Sequence, residues 1–223
     1  MYHLSTDLSQ TSDKLSIELR DKEVTMKKQD ILLVGVGGQG IILASDILGA
    51  ASIAAGYDVK KTDTIGMAQR GGSVVSHVRI ADRIWSPLIK EGEADILVAF
   101  EKLEAARWTP YLKSGGLAVI NDHAIPPLSV SLATSHYPSN EAIENILKQQ
   151  TNRVLFIDGT NKAKALGDIR TLNIFMLGCI SLFLSIEIQL WQNCLASMLP
   201  AKILDINSRA FEQGRKESPH GNV

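Results

Sequence analysis

The chain has 223 residues, of which 45% are hydrophobic and 21% charged, so it can bury a core without disulfides or a metal. Lys and Arg number 23 and Asp and Glu 24, a balance that argues against a dedicated nucleic-acid-binding protein. The two cysteines, Cys179 and Cys194, form no Cys-x-x-Cys pair, which excludes an iron–sulfur cluster or a four-thiolate zinc site held by this chain alone.

The N-terminal residues 1–28 are polar and charged, and we expect them to form an extension outside the folded core. They show no secretory signal pattern, and two isolated thiols fit a reducing compartment, so a cytoplasmic protein is predicted. The longest apolar stretch, 172–190, contains Asn173, Glu187 and Gln189. It is therefore predicted to be a buried helix rather than a membrane span.

The first regular elements follow this extension. The apolar run 31–35 is typical of a buried parallel strand, and 41–55 has apolar residues at helical spacing and ends at Gly56. Residues 57–62 are predicted to be the second strand. These segments together predict one βαβ unit.

Later segments alternate between strand and helix patterns. Strands are predicted at 74–80, 95–100, 116–121 and 153–158, and helices at 101–111, 140–150, 160–166, 172–189 and 201–214. This alternation favours an α/β fold with a mostly parallel, doubly wound sheet, helices on both faces and a helical C-terminal part.

A first glycine loop, Gly35-Val36-Gly37-Gly38-Gln39-Gly40, lies between the first strand and its helix. Glycines let the backbone approach a ligand closely, and a helix N-terminus favours an anion. Gln39 is expected at the tip of the loop, where it could reach a ligand or a partner chain. A dinucleotide site would also need an acidic residue after the second strand, and neither Asp58 nor Asp63 is well placed for it. The alternative is a tight turn that binds nothing.

A second glycine loop, Gly66-Met67-Ala68-Gln69-Arg70-Gly71-Gly72-Ser73, follows the second strand. In a parallel sheet it would lie near the first loop at the carboxyl edge, where open α/β sheets bind ligands. Arg70, with the Gly71-Gly72 pair, could close over a phosphate held by residues 37–40. The alternative is a surface hairpin in which Arg70 forms a local salt bridge.

Both loops and two distal segments resemble a known family. Residues 34–40, 66–74 and 77–79 resemble the gamma-type subunit or domain of pyruvate and other 2-oxoacid ferredoxin oxidoreductases, and most closely the beta subunit of the indolepyruvate enzymes. Residues 167–178 resemble its late helical signature, and 207–214 its C-terminal helix. The resemblance implies a single gamma-type domain over 29–216, followed by a tail over 217–223. Ile65 departs from it, because many relatives carry a histidine there.

The resemblance also implies a function. Such complexes oxidatively decarboxylate a 2-oxoacid with thiamine diphosphate, transfer the acyl group to coenzyme A, and pass electrons through iron–sulfur clusters to ferredoxin. It implies that a larger partner subunit holds the thiamine and the clusters, while this chain supplies an anion- or coenzyme A-binding wall. The residues implied in that wall are Gly35, Gly37, Gly38, Gln39, Gly40, Gln69, Arg70, Gly71 and Gly72. Two alternatives remain open, an NAD(P)-dependent dehydrogenase and a non-catalytic structural or regulatory subunit.

Other polar residues give weaker indications of a functional site. His77 is expected to be a satisfied core or surface histidine rather than to line the cleft, and Arg79 shares its strand face. His123 follows a strand's carboxyl end but has no second ligand at metal spacing, so no metal site is predicted. The segment Asp158-Gly159-Thr160-Asn161 only faintly resembles a metal–diphosphate motif. No residue of this chain is predicted to be catalytic.

Overall fold

The computed structural model describes residues 27–66, 71–134 and 136–217. Six strands form one sheet in the order β2-β3-β1-β4-β5-β6. They are β1 Gln29–Val36, β2 Asp58–Ile65, β3 Ser73–Ala81, β4 Ala94–Ala99, β5 Leu112–Asn121 and β6 Val154–Ile157. Strands β1, β4, β5 and β6 pair in parallel, while β3 runs opposite to the other five strands and pairs antiparallel with β1 and β2. This arrangement confirms the predicted mostly parallel sheet.

The helices cover both faces of the sheet, as predicted. They are α1 Ile41–Ala54, α2 Lys102–Trp108, α3 Leu128–Ser131, α4 Asn140–Gln150, α5 Gly159–Leu166, α6 Leu172–Ser181, α7 Ile188–Met198 and α8 Ala201–Glu217. Buried side chains of α1 and α5 to α8 pack on one face, and those of α2 and α4 pack on the other. Among the described residues, no helix is both long and apolar enough to cross a membrane.

The prediction of a simple βαβ unit was wrong in one respect. Strand β2 has the same direction as β1, but β3 lies between them and pairs with both. The reason is the burial pattern. Strand β3 has apolar side chains buried on both faces, such as Val74 and Val75, and so takes an interior position. Strand β2 carries Lys60 and Lys61, which suit a sheet edge.

The prediction of one helix over 172–189 was also wrong, because α6 and α7 are separate and the chain turns between them at 182–187. Leu184 and Ile186 in this turn are buried, so the apolar pattern continues through it. Other elements satisfy its backbone carbonyls: Gln29 Nε2 donates to Phe183 O at 3.0 Å, and the Tyr57 hydroxyl donates to Ser185 O at 3.4 Å. Tertiary hydrogen bonds therefore replace the helical ones at this point.

Helices α6 and α8 cross at two glycines. A Cβ atom built on Gly178 would lie 2.1 Å from the carbonyl oxygen of Phe211, and one on Gly214 would lie 2.0 Å from that of Phe175. Real Cβ atoms do not approach a carbonyl oxygen so closely. Two glycines of the late sequence motifs therefore have a packing role, since they allow these two backbones to touch.

Candidate functional site

The first glycine loop joins β1 to α1 at the carboxyl edge of the sheet. Gly38 and Gly40 have φ angles of +105° and +78°, in the left-handed region that glycine adopts without strain. No described residue accepts a hydrogen bond from the backbone N–H of either glycine. Helix α1 begins without a side-chain cap and without an acidic residue in its first turn. Its first N–H groups and the positive end of its dipole are therefore available to an anion.

The Gln39 side chain turns back toward the sheet instead of reaching outward from the tip of the loop. Its Oε1 accepts from the Val36 N–H at 2.7 Å, and its Nε2 donates to Phe100 O at 2.8 Å. A Cβ on Gly35 would lie 2.7 Å from this Oε1 atom, so a glycine is needed beside it. Gln39 thus fixes the shape of the loop and ties it to the end of β4.

The two glycine loops meet, as the sequence predicted from their positions after β1 and β2. The Gly37 N–H donates to Gly72 O at 2.8 Å, and the Gly71 N–H donates to Gly37 O at 3.5 Å. The second loop is the connection of the β2–β3 hairpin, so the hairpin part of the alternative interpretation also holds. Gln69 and Arg70, which the sequence places in the anion site, lie outside the described residues.

One cavity of about 340 Å³ opens beside the first loop, and we call it the Arg170 cavity. It is lined by Gly38, Gln39, Gly40, His123, Ile125, Thr160, Ile169, Arg170 and Leu172. The Arg170 side chain is 83% exposed and holds the Asp168 carboxylate in a forked ion pair at 2.6 to 3.0 Å. These hydrogen bonds lower the pKa of the Asp168 carboxyl. An exposed guanidinium therefore stands on the same cavity as the open end of α1.

The start of α6 supports the first loop from below. Asn173, which is buried, donates from Nδ2 to Gly40 O at 3.4 Å. A Cβ on Gly40 would lie 2.6 Å from that Nδ2 atom. The segment that brings Arg170 to the cavity thus also restricts position 40 to glycine.

A buried amide connects the strand ends beneath the cavity. Asn121 donates from Nδ2 to Phe100 O and to Thr160 Oγ1, both at 2.9 Å, and its Oδ1 accepts from the Thr160 N–H at 3.0 Å. Phe100 O also accepts from Gln39, so these bonds link the ends of β1, β4 and β5 to the start of α5. Both the hydroxyl and the N–H of Thr160 are therefore engaged in stabilising the floor of the cavity.

Two buried glutamates position the surrounding segments: Glu101, which caps the start of α2, and Glu104 in its first turn. The Glu104 carboxylate accepts from the hydroxyl of Ser73, which is the last residue of the second loop. The Glu101 carboxylate accepts from the Ile125 N–H at 3.0 Å and from the Tyr137 hydroxyl. Burial, and then this hydrogen bond, raise the pKa of Tyr137. Sequence reasoning missed both glutamates, although Glu101 at a helix start and Glu104 three residues later have the spacing of a capping pair.

His77 and Arg79 lie away from both loops, inside the fold. His77 is buried, and its Nδ1 accepts from the Ile89 N–H at 3.3 Å. Burial, followed by the charge of Arg79, lowers the pKa of His77. Arg79 forms a forked pair with the buried Asp30 at 2.9 and 3.0 Å. The prediction of a satisfied core histidine is confirmed. Over 27–66, 71–134 and 136–217, no three or more His, Cys, Asp or Glu side chains are grouped to hold a metal ion.

A second cavity, of about 390 Å³, lies on the other side of the first loop, and we call it the Ile65 cavity. It is lined by Gly37, Gly38, Gly40, Ile41, Ile42, Ile65 and Val74. Gly38 and Gly40 line both cavities. The first glycine loop therefore borders both cavities. Among the described residues, the Ile65 cavity is lined by aliphatic side chains, and the Arg170 cavity carries an arginine and a histidine.

Comparisons with known proteins find similar sequences and structures among the ferredoxin oxidoreductases that act on 2-oxoacids. A family model described as pyruvate ferredoxin/flavodoxin oxidoreductase matches residues 30–217. The indolepyruvate oxidoreductase subunit IorB of Pyrococcus horikoshii is 37% identical over 194 residues, covering 86% of this chain and 96% of that protein. The gamma subunit of a keto/oxoacid ferredoxin oxidoreductase from Geobacter sulfurreducens PCA superposes with a TM-score of 0.63 at 25% identity, covering 85% of this chain and 98% of that one.

The fold also occurs within a larger enzyme. The 2-oxoglutarate:ferredoxin oxidoreductase of Magnetococcus marinus, solved with 2-oxoglutarate, coenzyme A and succinyl-CoA bound, superposes with a TM-score of 0.67 at 22% identity. This similarity covers 86% of the present chain and 31% of that chain. At such an identity it shows the shared fold alone.

Proposed function

The chain belongs to the pyruvate ferredoxin/flavodoxin oxidoreductase family, and we propose that it is the small subunit of an indolepyruvate-type 2-oxoacid:ferredoxin oxidoreductase. The complex would decarboxylate an aryl 2-oxoacid oxidatively, form an acyl-CoA and transfer electrons to ferredoxin. The extent of the match to the Pyrococcus horikoshii subunit supports this proposal, since almost the whole of that protein aligns.

Within the complex, we assign the anion site at the first glycine loop to the phosphates of coenzyme A. The observation that carries this assignment is the convergence on one cavity of three features: the Gly38 and Gly40 N–H groups, which donate to none of the described residues, the uncapped start of α1, and Arg170. Backbone N–H groups at a helix start and a guanidinium are the donors that phosphates prefer. This chain would bind and orient coenzyme A against the partner's reaction centre.

The redox and carbon chemistry would take place in a larger partner subunit that holds thiamine diphosphate and the iron–sulfur clusters. The two cysteines of this chain are buried in different helices, Cys179 in α6 and Cys194 in α7, and burial raises the pKa of both thiols. Thr160 and Asn161 of the faint diphosphate motif bond to Asn121 and Asp158. These residues serve the fold, which supports placing both cofactors in the partner.

The alternative of an NAD(P)-dependent dehydrogenase is disfavoured by the strand order. In a dinucleotide-binding fold the ribose-binding carboxylate stands at the end of the second strand, which lies beside β1, but here β3 separates β2 from β1. Asp63 accepts from the Ser76 hydroxyl at 2.6 Å and pairs with Lys61, and Asp58 lies at the amino edge of the sheet, where it accepts from the Ile84 N–H. Both carboxylates are therefore already engaged.

The test is the coenzyme A dependence of the complex purified with its partner. We expect Arg170→Ala to raise the KM for coenzyme A about tenfold, because a charged hydrogen-bond partner of a phosphate is lost. The KM for the 2-oxoacid should stay unchanged. Arg209→Ala is the matched control, since Arg209 is also exposed and paired with an aspartate but lies on α8.

The two arginine variants also distinguish coenzyme A binding from a structural role of the loops. An unchanged KM for coenzyme A in Arg170→Ala would remove Arg170 from the site. Arg70→Ala tests the corresponding sequence-based proposal for the second loop. If neither variant changes coenzyme A affinity, the loops act as a structural interface with the partner, which is the remaining alternative.

A further inference from the structure

The Arg170 cavity brings together two kinds of groups that favour anions. One kind is backbone: the Gly38 and Gly40 N–H groups and the start of α1. The other kind is side chain: the exposed guanidinium of Arg170 and the imidazole of His123. The backbone groups follow β1, whereas His123 follows β5 and Arg170 precedes α6, so the two sets come from different segments of the chain. A ligand with two separate anionic groups can therefore engage both sets.

The Arg170 guanidinium is oriented by Asp168 but keeps one nitrogen that Asp168 does not engage. Arg170 Nε donates to the two Asp168 carboxylate oxygens at 3.0 and 2.9 Å, and Nη2 donates to Oδ2 at 2.6 Å. The Nη1 group donates to no described residue. Arg170 lines the cavity, whereas Asp168 is not among the described residues of its lining. The ion pair therefore fixes the guanidinium and leaves Nη1 for a phosphate oxygen.

His123 is fixed in the wall of the cavity through its backbone. Its N–H donates to Asn121 O at 2.7 Å, and its carbonyl accepts from the Lys102 N–H at 3.1 Å. Two residues later, the Ile125 N–H donates to the buried Glu101 carboxylate at 3.0 Å. Neither ring nitrogen of His123 bonds to a described residue. The imidazole can therefore form its hydrogen bonds with a ligand in the cavity.

Coenzyme A carries two anionic groups of different kinds, a diphosphate and a 3′-phosphate, both attached to one ribose. Backbone N–H groups at a helix start suit the diphosphate. A phosphomonoester carries a charge of about −1.5 to −2 at pH 7 and has three strong acceptor oxygens. An arginine and a histidine side chain can bind such a group together, through charge-assisted hydrogen bonds.

We propose that Arg170 and His123 bind the 3′-phosphate of coenzyme A, so that this subunit selects coenzyme A over dephospho-coenzyme A. The inference rests on the proposed function, because it takes coenzyme A as the ligand of the cavity. It adds which phosphate each set of groups binds. The first glycine loop and the start of α1 bind the diphosphate, which coenzyme A and dephospho-coenzyme A share.

The experiment measures the KM for coenzyme A and for dephospho-coenzyme A in the complex of this chain with its partner. We expect Arg170→Ala to raise the KM for coenzyme A about tenfold and to keep that for dephospho-coenzyme A within about twofold, because only coenzyme A has the group that Arg170 contacts. His123→Ala should act in the same direction, by about threefold. Arg209→Ala and His136→Ala are the matched controls, since both side chains are exposed and neither is among the described residues that line the cavity. They should change neither KM.

A binding measurement gives a second readout that does not depend on catalysis. Calorimetric titration of the complex with adenosine 3′,5′-bisphosphate and with adenosine 5′-monophosphate compares two probes that differ only in the 3′-phosphate. We expect the bisphosphate to bind more tightly, and this preference to be lost in Arg170→Ala.

Equal losses for coenzyme A and dephospho-coenzyme A in Arg170→Ala would overturn the inference and assign Arg170 to the shared diphosphate, with coenzyme A still the ligand. An unchanged KM for coenzyme A in both Arg170→Ala and His123→Ala would also overturn it. A complex whose exchange at residues 36–42 does not respond to coenzyme A would instead contradict the proposed coenzyme A site, and the inference with it.

Discussion

The carboxyl edge of the sheet and the crossing of α6 with α8 both depend on glycine, but for opposite physical reasons. At the crossing, Gly178 and Gly214 lie where any Cβ would collide with a backbone carbonyl of the other helix. At the edge, no atom of the described residues lies within 4 Å of the ideal Cβ position of Gly38, and its positive φ is the restriction that these residues impose. Glycine therefore allows close packing in the first region and leaves open space in the second.

This difference separates motifs that look alike in the sequence. The late segments 167–178 and 207–214 belong to the same family pattern as the two glycine loops, yet their glycines at 178 and 214 hold the fold together. Gly40 is intermediate, because it has a positive φ and also contacts Asn173. Substitutions should therefore mainly reduce stability at Gly178 and Gly214, affect both stability and ligand binding at Gly40, and mainly affect ligand binding at Gly38.

The largest effect is expected at the crossing. Gly178→Ala or Gly214→Ala should lower the free energy of unfolding by about 3 kcal/mol, because the helices must move apart to admit a methyl group. In a domain of this size, that loss corresponds to a fall in Tm of roughly 6 to 12 °C. Thermal unfolding of the purified chain measures it. A fall in Tm of less than about 2 °C would show that the helices do not pack this closely.

At Gly40 the effect should be smaller and divided between fold and site. Gly40→Ala introduces a strained left-handed residue, which costs about 1 to 2 kcal/mol, and it also displaces Asn173. Asn173→Ala removes the two atoms that lie nearest to the added methyl group, Nδ2 and Cγ. In a double-mutant cycle, the two substitutions together should therefore destabilise the chain by less than the sum of their separate effects. Additive losses would show that backbone strain alone accounts for Gly40.

At Gly38 the site should be affected more than the fold. Gly38→Ala costs about 1 kcal/mol of backbone strain, but its methyl group meets no atom of the described residues. Its methyl group would be added at a residue that lines both cavities. We expect a Tm within about 4 °C of the original and a several-fold increase in the KM for coenzyme A. A large fall in Tm with an unchanged KM would assign Gly38 to the fold instead.

The smallest effect is expected at Gly49, which lies in the middle of α1 and serves neither purpose. The nearest atom to its ideal Cβ position is a methyl carbon of Val59 at 3.8 Å, an ordinary contact distance. Gly49→Ala should therefore raise the free energy of unfolding by up to about 1 kcal/mol, through helix propensity alone. A destabilised Gly49→Ala chain would mean that Cβ distances do not predict the outcome at glycine positions in this protein.

The sequence predicted helices and strands well where the hydrophobic periodicity agrees with the residues that mark the ends of an element. The helix over 140–150 has the predicted bounds, and the strands around 31–35 and 95–100 lie where apolar runs placed them. Strand order was less accessible, because it depends on which strand is buried on both faces. The break between α6 and α7 has no Gly or Pro to indicate it, and its carbonyls bond to Gln29 and Tyr57, which are remote in sequence.

The candidate site was also predicted only in part, because some of its contacts join residues that are remote in sequence. Adjacent strand ends implied that the glycine loops meet, and the Gly37–Gly72 hydrogen bond agrees. The inward turn of Gln39 depends on the carbonyl of Phe100, which spacing alone does not reveal. Arg170 comes from a segment about 130 residues after the first loop, so only the folded chain brings it to the cavity. The sequence signal for Arg170 was its position in the segment 167–178, which resembles the late helical signature of the family and also contains Asn173.

Amide hydrogen exchange of the assembled complex, with and without coenzyme A, tests most directly whether the first glycine loop is an anion site. We expect coenzyme A to slow exchange in residues 36–42 and to leave α6 and α8 around their crossing unchanged, because the ligand would engage the Gly38 and Gly40 N–H groups, which donate to no described residue. Unchanged exchange in 36–42 at saturating coenzyme A would contradict the site and leave the glycines at this edge with a purely structural role.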